Sequence, residues 1–171
     1  VVDAGGVHVD DHLAGPGPEV VAVLDGQQRL TSMYLALRSG KPVNTRTEKG
    51  ESIQRVYFLD MAKCLDPAGD REEAVISVPA TLKQTSDFGR KVDLDLSTPE
   101  LQYAQRLFPL FLMFDTEALM KWEMGYSQHY AGDSEAAMFL VKFKNAIWLV
   151  FQQFKVPAIE MSPRISCTAI E

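Results

Sequence analysis

Residues 20–40, VVAVLDGQQRLTSMYLALRSG, change periodicity in mid-course. They open on an unbroken apolar run, Val20, Val21, Ala22, Val23 and Leu24, which is the pattern of a buried strand. They continue with Leu30, Met33, Tyr34 and Leu37 at i, i+3, i+4, i+7, which align on one helix face. Gly40 stops that helix, and Pro42 keeps it from resuming. A strand running straight into an amphipathic helix admits few folds, because further elements of the domain must cover both apolar surfaces. The helix is expected over about 26–38, and the join is the polar pentad Asp25, Gly26, Gln27, Gln28 and Arg29.

The rest of the chain supplies candidate partners. GVHVDDH (6–12) and EVVAVL (19–24) read as the strands of a β-hairpin, with LAGPGP as its long loop. KPVNTRTEKGESI (41–53) reads as a polar loop, QRVYFLDM (54–61) as a buried strand, and AKCLDPAGDREE as a second polar connector. AVISVPATL (74–82) is a short strand stopped near Pro79. KQTSDFGRKVDLDLSTPE is a loop of mixed charge, ending in Ser97, Thr98, Pro99 and Glu100, a helix start with proline at the first helical position. LFPLFLMF (107–114) suits a short edge strand or the end of a helix. A helix follows over about 116–125, and a longer one runs from Asp133 or Ser134 to about Phe154. KVPAIEM (155–161) returns as a strand, and SCTAIE begins another helix. Strands and helices in this order make an α+β fold, expected as one domain over 1–171.

Composition narrows the function classes. Of 171 residues, 46% are hydrophobic and 23% charged, which argues against disorder of the whole chain. A net charge of -6 disfavours gripping nucleic acid or anionic membrane by bulk charge. The apolar stretch AIWLVF (146–151) is too short to cross a bilayer, so no membrane partner is expected and the chain reads as cytoplasmic. Cys64 and Cys167 lack a CxxC neighbour, and His8, His12 and His129 lack metal-ligand spacing. A chain opening on Val1 rather than methionine is expected to be a fragment.

The pentad has two physical readings. Asp25 is a good N-cap and Gln28 falls at the third helical position, a variant of the capping box contributing about 1–2 kcal/mol. Arg29 fits that reading poorly, since a cation at the positive end of the helix dipole costs a few tenths of a kcal/mol. An anion at the helix start reverses the sign: first-turn N–H groups point at it, the guanidinium holds two of its oxygens, and Gly26 lets the backbone approach. Asp25 would then orient a water, a ribose hydroxyl or a metal ion. On physical grounds both readings stay open.

VLDGQQRLTSMYLAL (23–37) resembles the hallmark of the GmrSD-type restriction endonuclease N-terminal domains, a family of ParB/sulfiredoxin-like fold. RVYFLDM, FPLFLMF and KVPAIEM are similar to family features in the same order. The resemblance implies a nucleotide-phosphate pocket at Asp25, Gly26, Gln27, Gln28 and Arg29, binding and hydrolysing a nucleoside triphosphate with Mg2+ in a modification-dependent DNA restriction system. Within it, Arg29 would hold and polarise phosphate, Gln27 or Gln28 would position the attacking water, and Asp25 would serve as base or metal partner, with the metal ligands left open. DNA would be reached through further domains or a partner chain, with a nuclease domain or subunit as partner and self-association left open. The family's Q-R-x-Y-x-W segment is absent, and the chain stops at Ala169-Ile170-Glu171, where a further family motif would begin. The domain is therefore expected to be incomplete at both ends, and without an H-N-H motif it is not expected to cut DNA. A non-enzymatic ParB-like module holding a DNA backbone at the same turn is the alternative, and a helix cap alone is the third.

Other features have plainer readings. Phe139, Phe143, Ile147, Trp148 and Phe151 recur at helical spacing and are expected in the core. Lys41, Arg46, Lys49 and Arg55 suggest a DNA contact, but Glu48 and Glu51 dilute them, and a solvated loop is favoured. Asp93 and Asp95 suggest a metal pair, but alternating charge on an edge strand is simpler.

Overall fold

The computed structural model describes residues 27–47, 49–70 and 72–155. The hairpin expected at 6–24, the terminal helix and all but Lys155 of the strand expected at 155–161 lie outside the described residues. What is described is a mixed α+β arrangement, as expected.

The organising strand is β2, Ser52–Asp60, which pairs antiparallel with three others. β1 (Val43–Arg46) sets Val43 opposite Arg55 and Arg46 opposite Ser52. β3 (Val75–Pro79) sets Val75 opposite Leu59 and Pro79 opposite Arg55. A later strand, β6 (Leu107–Pro109), sets Leu107 opposite Asp60 and Pro109 opposite Phe58. Since β3 shares partners with both β1 and β6, it holds one edge of β2 while β1 and β6 divide the other.

Two segments expected as loops are hairpins. Residues 41–53 contain β1 and the start of β2, joined by a tip in which the Gly50 N–H donates to the Thr47 carbonyl (2.9 Å) and the Glu51 N–H to the Thr47 hydroxyl (3.1 Å). Gly50 takes φ 83° there, a conformation costly for other residues. Polarity hid this hairpin, because a strand with hydrophilic side chains on both faces gives no period-two signal. The loop at 83–100 likewise holds β4 (Lys83–Ser86) and β5 (Lys91–Asp95), and the latter is the strand expected around Asp93 and Asp95. Lys83 Nζ lies 2.9 Å from Asp95 Oδ2, and the Ser97 hydroxyl donates to Asp95 Oδ1 at 2.6 Å.

The helices follow their caps. α1 is Gln27–Arg38. α2 (Met61–Leu65) starts directly off β2, within the expected connector, because the Asp60 carboxylate accepts from the Ala62 and Lys63 N–H groups. α3 (Pro99–Gln105) has Thr98 as cap and Pro99 at its start, and ends where Arg106 turns left-handed at φ 53°. LFPLFLMF becomes β6 followed by a 3-10 turn, Leu110–Leu112. α4 (Thr116–His129) is capped by Asp115 and outlasts the expected 116–125. α5 (Ser134–Phe143) is capped by Asp133 and passes through a π-helical segment, Lys144–Trp148, into α6 (Leu149–Gln153).

Side chains alternate across β2, and both its faces are covered. Val56 and Phe58 pack with Val78, Leu96 and Leu107, whereas Leu59 packs with Met61, Phe108 and the helices. The helical core is aromatic: the Phe108 ring lies 5.1 Å from Trp122, 5.5 Å from Phe143 and 6.1 Å from Trp148, and Tyr103 meets Trp122 edge-on at 5.1 Å. Trp122 Nε1, Tyr126 Oη and Trp148 Nε1 are buried without a hydrogen-bond partner among the described residues, and burial pushes the Tyr126 phenol up. The π segment shifts the buried face, so that Trp148 is inside and the Gln152 amide donates to the Met113 carbonyl (2.8 Å). Phe143 is buried as expected and Phe139 and Ile147 partly so, but Phe151 is exposed because that shift carries it off the core face.

Gly125 admits Tyr103: a methyl at Gly125 would fall 3.0 Å from Tyr103 Cζ and closer still to its hydroxyl. Gly125→Ala should therefore destabilise by about 1–3 kcal/mol in urea unfolding, although alanine is the better helix former. Tyr103→Phe should recover part of that loss, which a double-mutant cycle measures; strict additivity would show that the hydroxyl is not the obstacle. The Ser97 hydroxyl, then the Lys83 ammonium, hold the Asp95 carboxyl at about 2, below its ordinary 3.8. Its contribution to the hairpin is in place above 3.8 and is lost as pH falls towards about 2. Carboxyl NMR titration should give that low midpoint, raised in Ser97→Ala.

Candidate functional site

The three described members of the pentad, Gln27, Gln28 and Arg29, form the first turn of α1, and all three are exposed. Asp25 and Gly26 lie outside the described residues, so the arrangement of Asp25 against Gln28 and Arg29 belongs to the sequence reading alone. The first turn holds no acidic residue. The next hydroxyls turn back on the helix, Thr31 donating to the Gln27 carbonyl (2.8 Å) and Ser32 to that of Gln28 (2.9 Å). The polar side chains of this turn are the two amides of Gln27 and Gln28 and the Arg29 guanidinium.

α1 is held by its other end. Leu37 is buried and Leu35 and Ala36 partly so, against the 3-10 turn Leu110–Leu112. Of the apolar face expected from periodicity, Leu30, Met33 and Tyr34 are instead exposed, Tyr34 at 61%. Among the described residues, the contact of α1 with the body lies in its last turn; the hairpin expected at 6–24, which leads into its first turn, lies outside them.

At that docked end lies a cleft of about 370 Å³ lined by Arg38, Phe111, Phe114, Asp115 and Thr116 among others. The Arg38 guanidinium stands 6.0 Å from the Phe114 ring centre, and Asp115 is occupied in capping α4 through the Ala118 N–H (3.0 Å). Eleven residues of helix at 1.5 Å each separate Gln27 from Arg38 by about 16 Å, so this cleft and the pentad are separate places. Periodicity could not reveal the cleft, since it depends on where Leu110–Leu112 meets α1; the late arginine was its one sequence sign. Asp93 and Asp95 do not converge: Asp93 faces Lys91 (3.3 Å) and Asp95 faces Lys83. Among the described residues, no group of three or more His, Cys, Asp and Glu side chains is placed to hold a metal ion.

If α1 is anchored at its last turn, the two halves of its apolar face differ in energetic weight. Leu37→Ala should cost about 2–3 kcal/mol in chemical unfolding, and Tyr34→Ala less than about 0.5 kcal/mol. Equal losses would show both halves packed.

Compared with protein-family models, curated proteins and solved structures, the chain matches none.

Proposed function

We propose that the chain binds a nucleoside triphosphate, with Mg2+, through the turn Asp25, Gly26, Gln27, Gln28 and Arg29, and hydrolyses it. The observation that carries this reading is exposure: Gln27, Gln28 and Arg29 are all exposed in the first described turn of α1, and that turn holds no acidic residue. Such an end presents N–H donors and the positive end of the helix dipole to an anion, and a guanidinium in the turn adds a two-pronged phosphate ligand. The DGQQR resemblance supports making that phosphate a nucleotide's. On the same ground we assign the fold to the ParB/sulfiredoxin-like type and the protein to a cytoplasmic, modification-dependent restriction system with a nuclease partner.

In this reading Arg29 neutralises charge developing on the transferred phosphoryl oxygens, Gln28 aligns the attacking water, and Asp25 accepts its proton or would help to hold the Mg2+ ion. Phosphoryl transfer asks mainly for positioning and charge, and a polar turn can supply both.

A nucleotide panel with and without Mg2+, on this chain and on Arg29→Ala, tests it by calorimetry. Triphosphate binding should weaken about tenfold or more in the variant, in line with loss of a charge-assisted contact. Binding of duplex DNA but of no nucleotide, abolished by Arg29→Ala, would favour a phosphate-backbone contact at the same turn. An inert turn, with Asp25→Ala costing about 1 kcal/mol of stability, would leave only a helix cap.

A further inference from the structure

The β1–β2 hairpin stands in a segment whose charge is opposite to that of the chain. Residues 27–58 carry six lysines and arginines against two glutamates, in a chain with 17 against 23. Four of the six, Lys41, Arg46, Lys49 and Arg55, lie on the hairpin or at its base. None of these four makes an ion pair among the described residues, whereas five lysines elsewhere do, such as Lys63 with Glu73 and Lys121 with Glu117. Glu48 and Glu51 also lie within residues 41–55 and leave that stretch a net charge of +2.

Register arranges these groups. Directly opposed residues of an antiparallel pair project to the same face. Asn44 faces with Gln54, and Arg46 with Ser52 on that same side, while Arg55 lies on the other with Val43. The Gln54 amide nitrogen donates to Asn44 Oδ1 (3.1 Å), which uses one donor and one acceptor of the pair and leaves the Asn44 nitrogen and the Gln54 oxygen available. One side of the ribbon thus presents a guanidinium and an amide pair, with Lys49 at the tip.

We propose that this hairpin is a contact for duplex DNA, with Arg46 and Lys49 on phosphates and the Asn44–Gln54 pair towards the groove. A two-stranded ribbon fits the roughly 12 Å major groove of B-form DNA, whereas the major groove of A-form RNA is too narrow and deep. Arginine and lysine are the usual phosphate ligands, and side-chain amides the usual partners of base edges. A membrane surface is disfavoured because the tip, Thr47 to Glu51, offers no large apolar side chain to insert. The overall negative charge confines the contact to this ribbon, so the salt dependence should be that of about two phosphates. The site is independent of the proposed nucleotide turn.

Fluorescence anisotropy of a short labelled DNA duplex against the full chain, across a salt series, tests this. Binding should show a log–log salt slope of about −2, flattening by about 0.9 for each contact removed in the double variant Arg46→Gln, Lys49→Gln, with affinity down at least about tenfold. Arg46→Lys should keep the slope, since charge is kept. Should the double variant fail to fold by circular dichroism, Lys49→Gln at the exposed tip must still flatten the slope by about 0.9. The proposal is overturned by no duplex binding at low salt, by unchanged binding in the folded variants, or by tighter binding to duplex RNA or to phosphatidylserine vesicles.

Discussion

Phe58 and Leu59 are neighbours on one strand and are buried in different cores. That double burial of β2 is the constraint on which the described structure rests. Phe58 needs β3, Leu96 and Leu107 on its side; Leu59 needs Phe108 and the helices on the other. β6 meets both demands by alternation, giving Leu107 to one face and Phe108 to the other. A one-residue slip of β6 would exchange those two side chains, so the register is held from both sides. The connections around β2 also follow, for Asp60 ends the strand and caps α2 in the same step.

The parts of this fold legible in the sequence are those where burial and periodicity agree. QRVYFLDM is apolar enough to announce a strand, and AVISVP likewise. Thr98-Pro99 and Asp133-Ser134 mark helix starts by capping chemistry that needs no tertiary partner. The two polar hairpins were hidden for the converse reason. VNTR and KQTS form strands through backbone pairing and turn geometry, neither of which leaves an apolar alternation to read. α1 shows the third case: its helix was plain, but periodicity suggested a face buried along its whole length. Among the described residues, Leu37 is buried and Tyr34 is exposed.

The candidate site was legible as a string and only partly as a place. Gln27, Gln28 and Arg29 stand together because they share the first described turn of one helix. The cation surplus of residues 27–58 was visible in the sequence too, but charges on a loop have no fixed mutual geometry. The β1–β2 register gives them one, separating Arg46 from Arg55 onto opposite faces. The exposed polar residues of α1 and the β1–β2 hairpin thus lie outside the aromatic core, while α3, α4 and α5 are held by aromatic contacts.

The π segment at Lys144–Trp148 has a meaning for how the chain can vary over time. It holds the long helical rod in two registers, with Leu140 and Phe143 inward before it and Trp148 and Gln152 inward after it. Each helical residue turns the rod by about 100°. Removing a single residue within 144–148 would straighten the rod into ordinary α-helix and rotate α6 by that amount, bringing Phe151 towards the core and taking Gln152 off Met113. No point substitution performs that exchange. A descendant lineage would therefore reach the alternative packing by a one-codon deletion, and its history here would be written in gaps.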